Sequence, residues 1–344
     1  MQPMETLSDL LQQLQGQYRV YDMGCRLSKL SSVDFKSFEE GKKPYPSPWL
    51  RHAWVGILSW SPKTPEQEKS PPTIWFLKLP LDERGLLIQA ARDEFLNQLL
   101  ETIGTNMLDQ QASSEWAEQL KHSNLAFTPD QARMAAFHAQ ASFTLKQTAS
   151  SFYPAVRRYM SSEDPQQGWQ ELGLQGFADF SIRLNEQQDW QQQVSQLPGP
   201  VLDTIAAQLE NQKLDHFLAS AFILRGQASA DEGEKIACLR AVSQTPDTTS
   251  RQQWLTQLLN KDSIVGVELL ATITSKCSED LLNAEIMGLF LHQCAADQGV
   301  FNGLVQELMY QPQLRIQVLA AFRAQERSPV LIQAIGALMG QTQS

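Results

Sequence analysis

The sequence predicts a mainly α protein in two parts: an α+β domain over residues 1–104, carrying a small antiparallel sheet with helices, then an all-helical, α-solenoid-like domain over 105–344. Three observations predict it. Alternating apolar text of strand length is confined to the stretch before Gly104. Helix-start signals recur at near-constant spacing from about residue 199 onward. A chain of 344 residues, 42% hydrophobic, is also too long for one small core and rich enough in apolar side chains for two.

Leu7, Leu10, Leu11 and Leu14 recur at helical spacing, so the chain opens with an amphipathic helix. Tyr18–Met23 then reads as a strand ending at Gly24, with 25–30 as its hairpin partner, and Val33–Glu40 as a short helix. In 52–60, His52, Trp54, Gly56, Leu58 and Trp60 share one side while Ala53, Val55 and Ile57 share the other. Both sides are apolar, which predicts a central strand covered twice. Thr73–Leu79 is the next strand, and the polar, proline-rich 61–72 joining them is where a protease is expected to cut first. Pro80–Glu83 leads into a helix carrying Leu86, Leu87, Phe95, Leu96 and Leu99, with Asp82 as its cap and Glu83 at the positive dipole end.

Beyond Gly104 the grammar is helical. Thr128-Pro129-Asp130-Gln131 and Asp164-Pro165-Gln166-Gln167 place a cap, then proline at the first helical position. The repeats are most regular over 199–340. First helices of successive pairs are expected near Pro200, Asp231, Asp262, Asp297 and Ser328, and second helices near Lys213, Ser250, Ser278 and Pro312. Each carries a single apolar stripe, such as Leu314, Val318 and Phe322. Short one-sided helices are unstable alone and must stack on neighbours, which is the case for an array of helical hairpins. An irregular bundle is the alternative. Trp169-Gln-Glu-Leu172-Gly173 opens like a tetratricopeptide motif, but Gly176, Asn185 and Asp189 break its continuation, and we read it as coincidence.

The net charge of −10 lies almost wholly in the second part: residues 1–105 hold 12 basic against 13 acidic residues, the rest 16 against 25. Such a balance repels a phosphate backbone, so no nucleic-acid partner is expected; that reading would need a basic stripe around Arg157 and Arg158. Glutamine, a helix former without charge, supplies much of the polar surface and suggests solvated helix faces. The amino terminus does not read as a secretory signal, and no apolar run reaches the roughly 18–20 residues of a membrane span. Four dispersed cysteines fit a reducing cytoplasm.

Chemistry leaves few marks. The five histidines (His52, His122, His138, His216, His292) pair with no His or Cys at ligand spacing except in His292-Gln-Cys294, whose ends point apart on a helix. Phosphate-loop, dinucleotide-binding and nucleophile-elbow motifs are missing. No catalytic residue, cofactor or metal is therefore assigned. The candidate ligand or partner site is Asp22, Arg26, Trp54, Trp60, Trp75, Asp82 and Arg84: three tryptophans sharing a sheet layer, with charges at strand ends. Packing and turn-capping are the favoured explanation of the same residues, since buried aromatics usually mean packing. Likewise Lys42–Trp49, stiffened by prolines, reads either as a segment for a partner or as a rigid connection.

Tyr18-Arg-Val-Tyr-Asp-Met-Gly24, Pro44-Tyr-Pro-Ser-Pro48 with His52-Ala-Trp54, and Ile74–Glu83 resemble an uncharacterised proteobacterial family of about this length, a domain of unknown function. That resemblance implies a cytoplasmic bacterial protein and transfers no reaction, cofactor or residue role. The function expected is non-enzymatic: a protein–protein interaction, scaffold or adaptor role on a helical-repeat surface, with an unspecified protein partner and no membrane. The alternative is an enzyme or small-ligand sensor with its site at the edge of the first domain's sheet. Oligomeric state is left open.

Overall fold

The computed structural model describes residues 6–15, 17–60, 72–106, 123–162, 165–186, 190–260 and 263–341. The chain is mainly helical, with a four-stranded antiparallel sheet near the amino terminus, and clusters into two units, 1–130 and 131–344.

In the first unit, helix α1 (Leu7–Gln15) precedes β1 (Gln17–Asp22) and β2 (Ser28–Leu30), then α2 (Ser32–Glu39), β3 (His52–Trp60), β4 (Thr73–Pro80) and α3 (Gln89–Asn106). Every sheet pair is antiparallel, in the order β2-β1-β3-β4. One face of β3 is buried throughout, at Ala53, Val55, Ile57 and Ser59, while the other is buried at Gly56 and Leu58 and half-buried at His52, Trp54 and Trp60. One face packs Ala53, Val55 and Ile57 against Leu7, Leu10 and Leu11 of α1, Phe35 and Phe38 of α2, and Phe95 and Leu96 of α3. The outer edge of β4 is covered: Lys78 N–H donates to the Leu125 carbonyl at 2.7 Å and Phe127 N–H to Phe76 at 3.1 Å. These bonds carry the first unit past residue 104.

The start of α1 is held by Glu39, the last residue of α2. Its fully buried carboxylate accepts from Leu7 N–H (2.7 Å), Ser8 N–H (3.1 Å) and the Ser8 hydroxyl. Three donors favour the charged form, yet burial outweighs them and pushes the carboxyl up to about 7. The turn feeding β3 is tight: Trp49 and His52 exchange both backbone bonds around Leu50 and Arg51, whose φ angles are +48° and +61°. A two-residue hairpin turn of this hand is glycine and asparagine territory, so leucine and arginine there are strained.

One helix start differs from the sequence reading. Asp82 does not cap α3, which begins seven residues later at Gln89. Its Oδ1 instead accepts from Arg84 and Leu86 N–H, both at 2.8 Å, closing a loop whose Gly85 sits at φ +76°. The same side-chain preference serves turns and helix starts alike. Residues 61–71, His122, Asp164 and Asp262 lie outside the described residues.

The second unit begins with α4 (Gln131–Thr144), where Thr128-Pro-Asp announced it, then α5 (Tyr153–Met160) and α6 (Leu174–Ile182). Trp169–Glu171 is a 3-10 turn, not the first turn of a tetratricopeptide helix. From there helices alternate between two series. The first holds α7 (Gly199–Leu209), α9 (Glu232–Val242), α11 (Val267–Lys276), α13 (Gln298–Met309) and α15 (Pro329–Gln341). The second holds α8 (His216–Ala228), α10 (Thr248–Leu259), α12 (Ala284–Cys294) and α14 (Pro312–Arg323). Each helix packs on the next member of its own series, and one core runs through both.

Caps define these helices. Asp231 accepts from Glu234 N–H, Asp297 from Val300 N–H, and Ser328 from Leu331 N–H. Three second-series starts shift from the residues expected: Asp215 rather than Lys213 caps α8, Asp247 rather than Ser250 caps α10, and Ser278–Leu282 is a 3-10 turn before Asn283 caps α12. Packing is close at Gly226 of α8, where an added Cβ would lie 2.3 Å from the Trp254 ring of α10.

Polar links run between helical pairs, and one of them skips a pair. Arg251 of α10 makes a bidentate pair with Asp280 (Nε–Oδ2 2.7 Å, Nη2–Oδ1 3.0 Å), both buried, and also donates to the Thr245 carbonyl. Burial alone would lower the guanidinium's pKa; the carboxylate outweighs it and holds it above its ordinary value. Glu210 receives Arg240 of α9 and Lys276 of α11, each at 2.7 Å. Gln293 of α12 donates to the Leu259 carbonyl and accepts from Val265 N–H. Gln208 and Gln293 are buried, so glutamine here is more than solvated surface.

Candidate functional site

A groove of about 590 Å³ opens between α12, α14 and the start of α15. Its origin lies in the spacing of small residues. Along α12, Ile286, Phe290, Leu291 and Cys294 turn to the core, leaving Ala284 and Gly288 on the other stripe. Along α14, Leu314, Val318 and Phe322 are buried, leaving Gln317, Ala320 and Ala324 to the groove. A Cβ added at Gly288 would meet nothing within 4 Å, so the space there is open. Met287, Leu289 and Leu331 complete an apolar floor.

Polar groups stand at the margin. His292 Nδ1 lies 2.8 Å from the Ser328 hydroxyl, which donates when the ring is neutral at that nitrogen. The pair resembles half of a nucleophilic dyad. However, Ser328 Oγ also accepts Leu331 N–H and its carbonyl accepts Ile332 N–H, so the serine is the N-cap of α15 and the histidine ties that cap to α12. The Arg327 guanidinium donates to the Phe322 carbonyl at the end of α14. Glu285 and Glu326 are exposed at the margin, and neither is held by a cation among the described residues. What remains is a shallow apolar floor with two carboxylates and one guanidinium at its margin.

The residues singled out in the first unit are differently placed. Trp54 and Trp60 lie on one face of β3, but Trp75 does not share their layer. It pairs with Ile57, whose parity puts it on the helix-covered face, where it is buried. Only the register between β3 and β4 decides this, and a one-residue slip would reverse it. Trp54 donates from Nε1 to the Trp49 carbonyl and meets Phe127 edge-on at 4.8 Å, and Trp60 lies under the Arg19 guanidinium. Asp22 and the Asp82 loop reach the same end of the sheet, each engaged inward: Asp22 Oδ1 accepts from the Tyr45 hydroxyl at 2.7 Å and from Gly24 N–H. Burial, then Asp22, pushes the Tyr45 phenol well above its ordinary value. Arg26 is half-buried in the β1–β2 turn and Arg84 is exposed. Tyr45 thereby anchors the proline-rich stretch as a packed connection, its ring 5.1 Å from that of Phe38.

Among the described residues, no cluster of His, Cys, Asp and Glu is placed to hold a metal, and no helix is long and apolar enough to cross a membrane. No disulfide joins the cysteines, and burial pushes the Cys238 thiol up to about 12. His292 is exposed while Cys294 is buried, as their spacing implied.

Residues 2–339 match the model of the family described as protein of unknown function (DUF3549). The chain belongs to this family. Matching nearly from end to end, both units fall within the family's single definition. No curated protein and no solved structure matches the chain.

Sequence reasoning passed over the groove because its floor is alanine and glycine, the residue types least distinguishable from ordinary helix filler. The available signal was Ala284, Gly288 and His292 at four-residue spacing, opposite Gln317, Ala320 and Ala324.

Proposed function

We propose that this protein acts without chemistry of its own, as an interaction, scaffold or adaptor protein whose second unit is an α-solenoid-like array binding a protein partner. The observation that carries the reading is the apolar groove between α12 and α14, open to solvent and lined by small residues. The two alternating helix series support an array, as does the spacing of their polar links: Arg251 to Asp280 spans 29 residues, His216 to Asp247 spans 31 and His292 to Ser328 spans 36. Elsewhere on the second series, Phe217 and Leu224 of α8 are 75% and 65% exposed and Ile316 of α14 is 66% exposed, an apolar presentation suited to contact with another chain. The thiol state of the cysteines fits a cytoplasmic setting.

Site-specific photo-crosslinking in the source cells tests the proposal. A benzophenone amino acid at Ala320, in the groove, should give a discrete covalent adduct. The same group at Gln306, exposed on α13, should not. Adducts indistinguishable at the two positions, or none at Ala320, would overturn it.

A further inference from the structure

We infer that the groove between α12 and α14 receives a short polypeptide segment that is apolar at its centre and carries lysine or arginine on its flanks, an assignment that rests on the interaction reading above. The floor sets the first half. Gly288, Ala320 and Ala324 withdraw side-chain volume from between two helices, and half-buried Leu289 and Ala321 offer apolar surface there. A volume of about 590 Å³ falls in the range that accommodates ligands and inserted side chains. Burial of apolar surface there supplies the affinity.

The margin sets the second half. Glu285 and Glu326 stand exposed on two sides of the opening, and no cation among the described residues holds either. The one arginine or lysine among the described lining residues, Arg327, donates to the Phe322 carbonyl and keeps its charge, so the margin carries two carboxylates against one guanidinium. Position in the first turn of α12 partly offsets the Glu285 charge through the helix dipole but does not reverse it. The surrounding chain is acidic, with 25 acidic against 16 basic residues beyond residue 105, so the longer-range field has the same sign. An acidic segment or a nucleic-acid strand meets repulsion at both ranges. Each exposed ion pair adds little energy, so the carboxylates select the occupant and the floor holds it.

Fluorescence anisotropy with the full-length chain tests this using two labelled amphipathic peptides of one length, one of leucine and lysine, the other of leucine and glutamate. The lysine peptide should bind roughly tenfold more tightly, the value of two exposed ion pairs together. Glu285→Lys with Glu326→Lys should abolish or invert that preference. Ala320→Trp fills the groove from an exposed position and should remove binding of the lysine peptide, with circular dichroism and Tm confirming that the variant is folded. Gln306→Lys should leave binding unchanged. Equal affinity for the two peptides, or lysine-peptide binding that survives Ala320→Trp as general adsorption to an acidic surface, would overturn the inference. If Ala320 crosslinks in cells while the peptides show no charge preference, the selectivity falls and the interaction role stands. If neither signal appears, both fall.

Discussion

The two units bury polar groups for different ends. In the first, buried carboxylates fasten elements that meet once: Glu39 closes α1 onto α2, and Asp22 closes the sheet end onto Tyr45. In the second, buried polar groups tie helical pairs together, to the next pair from Arg251 to Asp280 and from Arg240 to Glu210, and across two pairs from Lys276 to Glu210. The first unit is thus specified by a few singular closures and the second by several ties between helical pairs. Damage to a closure should therefore be felt throughout unit one, while damage to a link should be felt locally in unit two.

The largest break is expected at the buried ion pair. Asp280→Ala leaves the Arg251 guanidinium uncompensated and should cost about 3–5 kcal/mol in urea unfolding, whereas Arg251→Met with Asp280→Leu should come close to wild type. Hydrogen exchange should show the single variant's loss centred on α10 and α12, with the sheet amides unchanged. Protection lost equally across the sheet would undo the contrast.

A change of pH probes the first unit. Glu39 titrates near its ordinary 4.5 when unfolded and at about 7 when folded, so between those values the folded state holds a proton that the unfolded state has released. Its contribution to stability is therefore full below pH 4.5 and is lost as pH rises through 7, by up to about 3 kcal/mol. Glu39→Gln should flatten that slope in a series of melts across this range. A wild-type profile that rises toward neutrality, with no change in the variant, would show that the three donors keep the carboxylate charged.

The sharpest local comparison is expected to be the smallest. Leu50→Asn with Arg51→Gly relieves the left-handed turn before β3 and should stabilise the first unit by up to about 1 kcal/mol, read as a raised Tm. A lowered Tm would mean that the exposed Leu50 side chain contributes a contact worth more than the strain.

Legibility in the sequence followed the same division. Helix starts at Asp231, Asp297 and Ser328 were readable because a cap acts within three residues of itself, and the fully buried face of β3 because strand parity is local. Trp75 was misplaced because its face depends on register with another strand, across 61–72, whose length does not set that register. Asp82 was misread because an aspartate before a turn looks like one before a helix. The groove and the Arg251–Asp280 pair were illegible for one reason: each joins residues about one helical pair apart, whose meeting depends on stacking geometry that no local pattern encodes.

The reach of those links has a mechanical corollary. Since Gln293 and His292 each reach one helical pair while Lys276 reaches back two, to Glu210, tension applied at the carboxyl end would peel α15 and α14 off first and then meet a clamp at α11. Stretched in an optical trap, the second unit would lengthen in short steps as the last helices leave, then in one long step when the Lys276–Glu210 pair, which spans 66 residues, gives way.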